Sequence, residues 1–122
     1  MTRRPRATRR QVLAFALGLP GAYLDHPWEE DVAKVDGKVF VFFGMEDTPD
    51  RGMTVKLRDS HEQALAVPGA APTGYGLGRS GWVDVPFLAT TPPLPVLRDW
   101  VEESYRLVAR RHRITELDAR PR

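Results

Sequence analysis

The chain has 122 residues, 42% of them hydrophobic, no cysteine and a formal net charge of +2. This length provides one domain with a modest core, and the absence of cysteine excludes disulfides and thiolate metal sites. No apolar run reaches the roughly 20 residues of a membrane helix, so a cytoplasmic protein without a membrane partner is expected.

The small net charge conceals a segregation. Residues 1–10 carry Arg3, Arg4, Arg6, Arg9 and Arg10 and no acid, and residues 106–122 carry six arginines against Glu116 and Asp118. The span between them is therefore net −7. The pI near 9.3 belongs to the ends. The expected organisation is a basic arm over 1–10, a single α+β domain over 11–111 and a basic tail over 112–122. Arginine-rich ends can track phosphates or act as solvated segments that keep the chain soluble.

Thr8-Arg9-Arg10-Gln11 has the spacing of a capping box and opens a helix that carries Val12, Leu13, Ala16 and Leu17 inward, ending at Gly18 and Pro20. Asp31 to Met45 reads as a hairpin around Asp36-Gly37, a pair suited to a type I′ turn. Its second limb, Val39 to Phe43, is apolar at every position, which suggests a central strand. Met53 to Arg58 alternates, with Met53, Val55 and Leu57 inward and Thr54, Lys56 and Arg58 outward. Asp59-Ser60-His61-Glu62 starts a short helix that ends near Val67, with His61 exposed. A glycine-rich turn over 74–81 leads into a last strand, Trp82 to Phe87, which Pro86 places at an edge or ends there. A long helix follows Thr91-Pro92-Pro93, with Leu97, Trp100, Val101, Ser104, Tyr105 and Val108 on one stripe. Residues beyond about His112 are expected to fray.

The core expected from these patterns is Phe40, Phe42, Val55, Leu57, Val83, Val85, Leu97, Val101 and Val108. Trp28 and Trp82 are expected to be buried too, because each large ring can remove 150–250 Å² from water.

Chemistry-bearing motifs are sparse. Gly76-Leu77-Gly78-Arg79-Ser80-Gly81 has the letters GxGxxG, but it precedes a strand and lies in no βαβ unit, so it reads as a hairpin tip and not a dinucleotide loop. His26, His61 and His112 have no metal-ligand spacing. Asp25 could orient His26, although neighbours in sequence often point apart. Ser80 and Ser104 lack a visible base. Asp99, Glu102 and Glu103 read as a solvated helix face, with Glu102 and Arg106 spaced for an i,i+4 ion pair. No catalytic residue, metal site or cofactor is expected, and the chain reads as a non-enzyme.

Lys34 and Lys38 flank the Asp36-Gly37 turn, and Arg79 lies at the second glycine-rich tip. Two basic wings of this kind suit phosphate contacts; lysines there would also protect sheet edges from association.

Several segments, in order, resemble the MmcQ/YjbR family: Leu19-Pro20-Gly21-Ala22-Tyr23-Leu24-Asp25-His26-Pro27-Trp28, Leu65 in a short helix, Tyr75 to Val83, and Glu103-Ser104-Tyr105-Arg106-Leu107-Val108. The resemblance runs from about Val12 to Val108. It implies an antiparallel sheet packed by helices in a CyaY-like arrangement, with a double-wing motif and DNA binding. The matching positions are Pro20, Gly21 and His26-Pro27-Trp28, then Lys34 and Gly37, then Tyr75, Leu77, Arg79 and Trp82, and finally Ser104-Tyr105. Gly76, Gly78 and Gly81 stand where family members often carry polar side chains.

Two functional classes stay open. In the first, duplex DNA is held through phosphates by Arg3, Arg4, Arg6, Arg9, Arg10, Lys34, Lys38, Lys56, Arg58 and Arg79. In the second, a cleft near Tyr23, His26, Trp28, Tyr75 and Trp82 receives a protein or small molecule.

Overall fold

The computed structural model describes residues 8–44, 52–88 and 90–121. They form an α+β fold in which helices cover one face of a six-stranded antiparallel sheet.

Helix α1 spans Arg9–Leu17. Its capping box is complete: the Thr8 amide donates to Gln11 Oε1 at 2.9 Å, and the Gln11 amide donates to Thr8 Oγ1 at 3.3 Å. Val12 and Ala16 are fully buried. Gly18 caps the helix in a right-handed conformation. The left-handed turn comes at Gly21, φ 69°, where a Cβ would strike the Arg113 side chain.

The next strand, β1 (Tyr23–Asp25), has no counterpart in the sequence reading. Three residues are too few for an alternation signal, and this edge strand is defined by its pairing with β2 (Asp31–Val35). The β2–β3 hairpin forms as expected, with β3 at Lys38–Gly44 and positive φ at both Asp36 (53°) and Gly37 (80°). The uniformly apolar second limb has a local cause. Ala33 pairs with Val41 and Lys34 with Val39, which leaves Phe40 as an inserted residue. This bulge lets adjacent Phe40 and Val41 both be fully buried. The Phe40 ring meets the Tyr105 ring edge-on at 5.3 Å.

Strand β4 (Met53–Lys56) pairs with β3 and with β6 (Trp82–Val85), and a two-residue strand β5 (Ala71–Pro72) closes the far edge. The order is β1-β2-β3-β4-β6-β5. Ala33, Val41, Val55 and Val83 lie side by side in register on the helix-covered face. Val32, Phe42, Thr54 and Asp84 form the corresponding row on the other face, which no helix covers among the described residues.

Helix α2 is His61–Leu65, shorter than expected, and α3 is Leu94–Val108. Asp59-Ser60-His61-Glu62 has the spacing of a capping box, but the side chain of the N-cap residue Ser60 does not cap α2. The carboxylate of Glu103 on α3 accepts from the Arg58 amide at 2.8 Å, the Ser60 amide at 3.2 Å and Ser60 Oγ at 2.8 Å. Glu103 is thus a clamp between elements, not part of a solvated face. Ser104 has a comparable role in the core. Its Oγ donates to Phe40 O at 2.6 Å and accepts from the Lys56 amide at 2.9 Å, splicing β3 and β4 where their own pairing has ended. Tyr105 Oη donates to Pro20 O at 2.6 Å, and burial raises the phenol pKa.

Three sequence expectations are corrected. The tail does not fray: residues Arg111–Asp118 form α4, and Leu117 joins the core. Arg113 pairs with Asp36 at 3.2 Å, Arg106 with Asp118 at 2.6 Å, and Arg120 donates to Gly18 O at 2.7 Å. The helix depends on acceptors distant in sequence, so its charge-dense residues look like a tail when read alone. Trp82 is buried as expected, but Trp28 is 94% exposed. Trp28 and Glu29 adopt positive φ, 57° and 66°, and the loop turns outward there. Of the nine expected core residues, Phe42 and Val108 are only half-buried; the other seven are buried.

Candidate nucleic-acid interface

The fold divides the candidate cations into those used internally and those left available. Arg9 is used. Its guanidinium bonds the Asp31 carboxylate, donates to Phe43 O at 3.4 Å and lies over the Phe43 ring. Burial opposes ionisation of Asp31, yet Arg9 and His26 together hold its carboxyl below the ordinary value. Lys34 is also engaged, with Nζ 2.7 Å from Asp25; this contact raises the lysine pKa and lowers that of the aspartate. Arg58 meets Asp59 at 3.4 Å, but both side chains are largely exposed, and such pairs hold weakly. Among the described residues Arg10, Lys38, Lys56 and Arg79 form no ion pair. Arg3, Arg4 and Arg6 lie outside the described residues.

Lys56, Arg58 and Arg79 line one groove of about 530 Å³, together with Leu57, His61, Gly78 and Gly81. They come from the end of β4, the turn before α2 and a 3₁₀ turn at Leu77–Ser80. The Leu57 amide donates to Gly81 O at 2.9 Å and ties the two walls together. Asp59 and Glu62 also border the groove and offset part of its charge. Lys34 and Lys38 lie apart, at the β2–β3 hairpin. His61 is half-buried rather than exposed, and its Nε2 is enclosed without a hydrogen-bond partner among the described residues.

The glycine pattern here serves packing. Gly76 and Gly81 have φ of 78° and 96° at the two ends of the 3₁₀ turn. A Cβ at Gly81 would lie 2.5 Å from Leu57 O, and one at Gly78 would lie 2.9 Å from Pro72 Cβ. The turn feeds a strand, as expected of a tip and not of a dinucleotide loop.

His26 is held by a different partner from the one its sequence suggests. Its Nδ1 is 2.6 Å from Asp31 Oδ1, while Asp25 Oδ1 accepts from the His26 backbone amide at 2.8 Å. Glu102 and Arg106 do form the expected i,i+4 pair, at 3.2 Å.

The uncovered sheet face carries a second groove, of about 550 Å³. Phe42, Thr54 and Asp84 contribute from the strands, Glu30 from the loop before β2, and Thr73, Tyr75 and Leu77 from the connection after β5. Of the five aromatic and histidine residues expected to form a cleft, Tyr75 alone lines this groove. Trp82 packs edge-on against Phe42 at 5.4 Å, Tyr23 is 44% exposed on β1, and His26 and Trp28 belong to the loop before Glu30. The sequence reading missed Glu30, Thr73 and Asp84. The outward register of Thr54 and Asp84 was legible in each strand; that these strands are neighbours was not.

A helix-backed, open-faced antiparallel sheet defines a small α+β domain. The chain belongs to the YjbR family, whose model matches residues 17–107. No curated protein matches the chain. No helix among the described residues is long and apolar enough to cross a membrane.

Proposed function

We propose that this YjbR-family chain is a non-catalytic cytoplasmic protein that binds duplex DNA through phosphate contacts, with little dependence on sequence. The observation that carries this reading is the convergence of Lys56, Arg58 and Arg79 on one groove. Three cations from two separate segments give a phosphate several charge-assisted donors within one concavity. Arg10, with Arg3, Arg4 and Arg6 before it in sequence, supplies further charge, and Lys38 at the hairpin tip gives a second wing. The net-negative remainder of the body disfavours other docking orientations, because like charges repel the duplex.

Fluorescence anisotropy with a labelled mixed-sequence duplex, titrated over a range of salt, tests the proposal. The three groove cations contribute about −2.7 to the log–log salt slope, from about 0.9 per contact. Lys56→Ala, Arg58→Ala and Arg79→Ala should each flatten that slope by about 0.9 and weaken binding to all sequences alike. Lys34→Ala should change it little, since Lys34 is engaged by Asp25. No binding at low salt overturns the proposal. Binding that survives the triple substitution with its slope unchanged removes the groove from the interface.

A further inference from the structure

The groove on the uncovered sheet face has the opposite character. Among the described residues that line it none is Lys, Arg or His, and two are acids, Glu30 and Asp84. Asp84 is held in place: Thr54 Oγ1 and Thr73 Oγ1 both donate to its Oδ1, at 2.7 and 2.8 Å. Among the described residues no donor engages Oδ2, and the Glu30 side chain has no ion-pair partner. Beside these carboxylates stands Tyr75, fully exposed at φ 59°. A tyrosine with positive φ is uncommon, and no burial of its ring compensates for that backbone conformation. Phe42, half-buried, supplies an apolar strip along the same groove.

We propose that this groove docks a segment of a partner protein by inserting one arginine side chain. A carboxylate with one oxygen fixed and the other available, a second unpaired carboxylate and an exposed aromatic ring together match a planar cation. The fully exposed Trp28, two residues before Glu30, adds a ring at the same loop and favours a peptide over a small free amine. Its described lining residues include no cation that would draw a phosphate, unlike the Lys56–Arg58–Arg79 groove, so the two differ in both place and ligand.

The test follows backbone amide shifts in the full chain during titration with the peptide Ac-Gly-Leu-Arg-Leu-Gly-NH₂. Its citrulline counterpart, neutral and of the same shape, is run beside it, as is a lysine version. Saturating shifts are expected at Thr54, Thr73, Tyr75 and Asp84 with the arginine peptide only. Tyr75→Gly, which suits the positive φ, and Asp84→Asn, which keeps an oxygen for both threonines, should each weaken binding about tenfold. An unchanged amide spectrum away from the groove shows that the variants fold. Equal binding of the citrulline peptide, unchanged affinity in both variants, or shifts confined to another surface each overturn the proposal. Equal affinity for the lysine peptide overturns the choice of arginine. The variants should leave duplex binding intact, so the two proposed sites fail or stand separately.

Discussion

The two faces of the sheet are best compared through the chain's three tryptophans. Trp100 lies between α3 and the covered face and is 1% exposed; Trp82 lies on the uncovered face at 9%; Trp28 stands in a loop at 94%. On the covered face, polar side chains are consumed by the backbone: Ser104 joins two strands and Tyr105 anchors the Pro20 carbonyl. On the uncovered face, Asp84 is fixed by two hydroxyls at Oδ1, while no donor among the described residues engages its Oδ2. One face spends its polar groups on the backbone, and the other leaves a carboxylate oxygen without a donor among the described residues.

Equilibrium denaturation of the tryptophan series would break or sharpen this comparison. Trp100→Ala should cost about 4 kcal/mol, because it opens a cavity beneath a fixed helix. Trp82→Ala should cost about 3 kcal/mol, as Phe42 can relax into part of the space. Trp28→Ala should cost under about 0.5 kcal/mol, the usual range for an exposed substitution. Equal losses at Trp82 and Trp28 would contradict the distinction between a sheet residue and an outward loop residue.

Ser104→Ala should cost about 2 kcal/mol with almost no change in volume, because a buried carbonyl and amide lose their shared partner. A loss near zero would show that water or strand movement replaces the splice. Ser104→Gly, also lacking the hydroxyl, should lose at least as much, with an added helix-propensity cost of about 1 kcal/mol.

The smaller expected effect is at the Arg9–Asp31–His26 cluster. Asp31 has a lowered pKa in the folded chain. Its ionised form therefore contributes stability at and above the ordinary value of 3.8, and that contribution is lost as pH falls below it toward the depressed value. Asp31→Asn should cost about 1.5 kcal/mol at neutral pH and flatten the acid limb of the stability profile. An acid limb identical in the variant and the parent would place the pH dependence elsewhere, for instance at Asp36 beside Arg113.

The gap between sequence and structure falls where pairing is long-range. The α1 capping box, the Asp36-Gly37 turn and the α3 stripe were legible because each is decided within a few residues. The bulge at Phe40 was visible only as an apolar run without alternation. Glu103 looked like a surface acid because the three donors it accepts from lie more than forty residues away. The charge count over 106–122 was right, but it could not distinguish free arginines from those already paired with Asp36 and Asp118.

The sequence by itself determined the α+β class, the main strands and helices, the excess of positive charge at the ends and most of the core, since periodicity and turn chemistry act locally. Tertiary structure alone decided which cations remain available, which tryptophan is buried and which side chains share a groove. Those outcomes depend on strand order and on ion pairs between distant residues, and neither leaves a signal in local spacing.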